Sequence, residues 1–122
     1  MATLKEVIER IDSSKLNAYD TEIKVRWLDT INRQALLQGY KLPNKEYVPL
    51  STNDMETVLL IEEPYSNIYD YYVYAQIDLM NNEIANFNNN IMLYNNEWTE
   101  YLKYMIREGY LSTQPTFKNA EP

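Results

Sequence analysis

Residues 73–105 read VYAQIDLMNNEIANFNNNIMLYNNEWTEYLKYM, and within them an apolar or aromatic residue recurs at alternating steps of four and three: Val73, Ile77, Met80, Ile84, Phe87, Ile91, Tyr94, Trp98, Tyr101 and Met105. This spacing keeps one helical face apolar, so the stretch is one long amphipathic helix or a helix pair made from it. Asn86, Asn88, Asn89 and Asn90 are weak helix formers and mark a place for a break. The stripe crosses them without losing phase, which favours a helix that is continuous or kinked there. Pro64 suits its first turn and Gly109 its end. An unbroken helix over 66–108 would be roughly 60 Å long. Its large rings are a poor match to the Leu and Ile of tight coiled-coil dimers, so the stripe reads as core for other helices of the same chain, with Ile77, Ile84, Phe87, Ile91, Tyr94 and Trp98 as core candidates.

Two shorter helices precede it. Thr3 is placed to cap the first, with Glu6 completing a capping box and Leu4, Val7, Ile8 and Ile11 on one face. A turn-rich segment over 12–19 leads to a second cap at Asp20 or Thr21. The next helix carries Ile23, Trp27, Ile31 and Ala35, widened by Leu28 and Leu36, and stops at Gly39; Trp27 and Ile31 are its core candidates. Pro43, Pro49 and the polar cluster 51–54 make 40–63 an extended loop or short β-hairpin. Its strand-like run, Thr57 to Ile61, pairs with the Tyr47–Val48 region, pairs with another subunit, or extends the following helix. Residues 111–122 read as an extended arm. The expected fold is all-α, a single domain over 1–122 in which a helical hairpin packs on one long C-terminal helix.

Composition narrows the chemistry. The 122 residues are 45% apolar, contain neither cysteine nor histidine, and carry a net charge of −7. Disulfides, thiolate metal sites, catalytic triads and imidazole acid–base chemistry are therefore outside its means. The acidic balance opposes phosphate-backbone binding. No signal-like leader or membrane-length apolar run is present, so a soluble chain made in the cytoplasm, without membrane association, is expected. The carboxylate pairs Glu62/Glu63, Asp78/Glu83 and Glu97/Glu100 have neither a marked pocket nor the spacing of a calcium loop. No enzyme activity, cofactor or metal is expected.

Tyrosine is the unusual feature. Tyr65, Tyr69, Tyr71, Tyr72 and Tyr74 put five phenols within ten residues. Helical geometry places Tyr65, Tyr69 and Tyr72 near one face and Tyr71 with Tyr74 on another, so some meet a second surface. These five, with Tyr47, Val58 and Leu60 in the loop and Tyr110, Leu111 and Phe117 in the arm, are the interface candidates.

The segments TLKEVIERIDSSK, YDTEIKVRWLDTINRQ, EEPYSNIYDYYVYAQIDLMNNEIANFNNN and IMLYNNEWTEYLKY together resemble a family of small virion proteins of tailed phages and prophages of Gram-positive bacteria, similar to head–tail connector (adaptor) proteins. The shared pattern falls on Trp27-Leu28, Pro64-Tyr65, Ala75-Gln76-Ile77-Asp78 and Phe87-Asn88-Asn89, and covers about residues 3–105. These are packing residues and not a catalytic fingerprint. The resemblance implies an all-helical virion protein that docks on the portal, joins it to tail-side neck proteins as a homo-oligomeric ring, and lets DNA pass without specific binding. The chain departs from the pattern after Tyr104 and in the Pro43–Pro49 loop. From the residues alone, a small regulatory protein-binding module of a mobile element, acting through the tyrosine face, is the other reading.

Overall fold

The computed structural model describes residues 2–108. It is built from four α-helices: α1 (Leu4–Ser14), α2 (Thr21–Gln34), α3 (Asn67–Met80) and α4 (Ile84–Arg107). Among the described residues there is no β-strand beyond a single bridge between Thr3 and Val58. The all-α class holds.

α1 starts as its sequence dictates. Thr3 Oγ1 accepts from the Glu6 N–H at 3.2 Å, and Glu6 Oε1 accepts from the Thr3 N–H at 2.9 Å. The other first-turn donors find carbonyls from the long loop: the Leu4 N–H donates to Thr57 O and the Lys5 N–H to Met55 O, both at 2.9 Å. Leu4, Val7, Ile8 and Ile11 are all buried. The run 57–61 therefore has a partner that none of its three expected pairings named, the stub ahead of α1, with the Leu59 N–H donating to Ala2 O at 3.0 Å. Strand-like alternation within the run survives: Leu59 and Ile61 are buried while Val58 faces out.

α2 buries Val25, Leu28 and Ile31, with Trp27 packed half-buried at its edge. The helix ends in a π-helical turn, Ala35–Gly39. A Cβ on Gly39 would lie 3.2 Å from the Tyr101 ring, so glycine lets α4 approach the end of α2.

The expectation of a continuous or kinked C-terminal helix is corrected. The chain reverses at residues 81–83, between α3 and α4, and the stretch of asparagines at 86–90 lies inside α4. Asn82 takes the left-handed conformation at φ 61°, which asparagine tolerates better than most residues. The turn closes with the Asn81 N–H on Ile77 O at 2.9 Å and the Glu83 N–H on Asp78 O at 2.8 Å. Ring contacts between Tyr65 and Tyr104 and between Tyr72 and Tyr94 show α3 and α4 running antiparallel. Folding the stripe in half buries Val73, Ile77, Tyr101 and Met105 together, which a rod could not do with two short helices as its only cover. α3 also begins later than Pro64, at Asn67.

Of the core candidates, Ile31 and Ile77 are fully buried, and Trp27, Tyr94 and Trp98 pack half-buried against the core. Phe87 and Ile91 are half-buried. Ile84 is corrected: it is 49% exposed because it sits at the turn, where the helix pair runs past the rest of the core. No helix among the described residues is long and apolar enough to cross a membrane.

Candidate interface surfaces

The five clustered phenols separate as the helical geometry requires. The Tyr65 ring lies tilted 5.8 Å from Tyr101 and 5.2 Å from Tyr104, and Tyr72 lies 5.5 Å from Tyr94. Trp98 continues the row between Tyr94 and Tyr101, at 6.3 and 5.6 Å. This aromatic ladder seals α3 to α4, each contact adding about 0.5–1.5 kcal/mol beyond burial. The Tyr94 hydroxyl donates to Gln34 Oε1 at 3.0 Å, and burial pushes its phenol up to about 12. Burial raises Tyr72 as well.

Tyr69 is corrected from interface to core. It is 0% exposed; its hydroxyl donates to Asn32 Oδ1 at 2.6 Å and accepts from the Ile61 N–H at 3.0 Å. Asn32 Oδ1 also accepts from the Leu60 N–H at 2.8 Å, so one buried amide ties α2, α3 and the long loop together. Burial holds the Tyr69 phenol well above its ordinary value. Tyr47 has a similar post: its hydroxyl donates to Asp29 Oδ1 at 2.6 Å, the Leu50 N–H donates to the same oxygen at 2.8 Å, and Arg33 lies 5.0 Å above its ring. Burial, then the Asp29 hydrogen bond, raises this phenol too.

Tyr71 and Tyr74 lie half-exposed on the other face of α3, lining a shallow cleft with Arg10 and Asp70. Arg10 donates from Nε to Asp70 Oδ2 at 2.7 Å and from a terminal nitrogen to Oδ1 at 2.5 Å. Asp70 is held above the usual carboxylate range because its burial outweighs the opposing pull of Arg10. The other buried carboxylate, Asp78, accepts from Asn90 Nδ2 at 2.7 Å and has the Lys15 ammonium 2.7 Å away. Lys24, itself buried, reaches Asp12 at 2.7 Å. Each buried acid thus meets a cation that fixes one helix to another. Among the described residues, no three acids come together in a way that could hold a metal ion.

Among the described residues, two apolar surfaces stand out as exposed. One surrounds the α3–α4 turn, where Leu79, Met80, Ile84 and Met92 are 46%, 59%, 49% and 53% exposed. The other is a groove between residues 46–50 and 57–60, floored by Leu36 and walled by Leu50 and Leu60, with Val48 and Val58 on its exposed rims. Val58 and Leu60, two of the interface candidates, line this groove. Spacing alone does not reveal the turn surface, because Met80 and Ile84 keep the phase of the core stripe. Its signal was charge: residues 79–96 contain one charged side chain, Glu83. Tyr110, Leu111, Phe117 and the arm 111–122 lie outside the described residues. Compared with family models, curated proteins and solved structures, the chain matches none.

Proposed function

We propose that this chain is a structural virion protein, a head–tail connector subunit that docks on the portal and joins head to tail as a ring of many copies. The observation that carries the reading is the combination, in one small chain, of a core cross-tied by buried ion pairs and two exposed apolar surfaces. Such a build suits a part that holds its shape while others pack against it. The sequence resemblance to connector proteins supplies the assembly. A net charge of −7 suits a channel wall along which DNA moves without adhering. In this reading the partners are further copies, the portal and tail-side neck proteins, and the site of action is the virion.

Mass spectrometry of purified virions and negative-stain microscopy of the purified protein test it together. The chain at fixed stoichiometry in virions, with rings in solution or on the portal, is the expected result. Its absence from virions, with a lasting monomer that takes a host protein on the Tyr71–Tyr74 face, would replace the reading with that of a regulatory binding module.

A further inference from the structure

We draw no further inference here: the strongest candidate, the cleft between α1 and α3 lined by Arg10, Ser14, Asn67, Asp70, Tyr71 and Tyr74, holds its cation already paired with Asp70 and Glu63, and nothing in the structure shows what would occupy it.

Discussion

The ends of the 73–105 stripe and the turn within it have the same spacing and opposite fates. Val73, Ile77, Tyr101 and Met105 are buried, whereas Met80 and Ile84, in perfect phase with them, lie open at the turn. Periodicity states which face of a helix is apolar; it does not state whether anything covers that face. Coverage here is set by length. α1, α2 and the loop cover the face of Val73, Ile77, Tyr101 and Met105; near the turn the chain between α1 and α2 reaches Asn81 and Asp78 but leaves Met80 and Ile84 open.

The comparison is broken most forcefully by truncation. Ile77→Ala removes a fully buried side chain and is expected to cost about 3–4 kcal/mol in urea unfolding, while Ile84→Ala at the turn is expected to cost under about 0.5 kcal/mol. Equal costs would mean that the turn is covered within the chain.

The ion pair behind the turn comes next. Lys15→Met leaves Asp78 buried without its cation and should cost about 3 kcal/mol; adding Asp78→Asn should recover most of it, since the charge is then gone. Failure of the second substitution to recover stability would show that Lys15 acts through packing alone.

Alkaline titration separates the ladder from the turn. Tyr47, Tyr69, Tyr72 and Tyr94 are all raised by burial, so their neutral forms are favoured by folding. The unfolded chain loses these protons from about pH 10 and the folded chain later, near 12 for Tyr94. The contribution is complete below pH 10 and is lost as pH rises through the folded values. The melting temperature should therefore fall from pH 10 upward, with tyrosinate absorbance rising as helix is lost. The cap of α1 comes last: Thr3→Ala removes it and should cost about 1 kcal/mol.

Local chemistry was legible. The Thr3–Glu6 capping box, the apolar face of α1, the end of α2 at Gly39 and the division of the tyrosines between two faces all follow from residues within one or two turns of one another. What escaped depends on distant partners. The reversal at 81–83 was masked because asparagines occur throughout 81–96, and a three-residue turn keeps the stripe in phase. The post of Tyr69 needs Asn32, thirty-seven residues away. The pairing of 57–59 with 2–4 needs the cap of α1, whose unmatched N–H groups local propensity does not reveal. The exposure of the turn was not legible, because apolar spacing gives the face of a helix and not what covers it.

The chain has no cysteine, so a single pair of introduced thiols can be labelled without interference. Spin labels at Asn67 and Arg107, both exposed, measure directly whether the C-terminal half doubles back. A hairpin brings these sites together beside the Tyr65–Tyr104 contact of 5.2 Å and predicts a short, single distance. A distance of roughly 60 Å, the length of forty residues of unbroken helix, would contradict it.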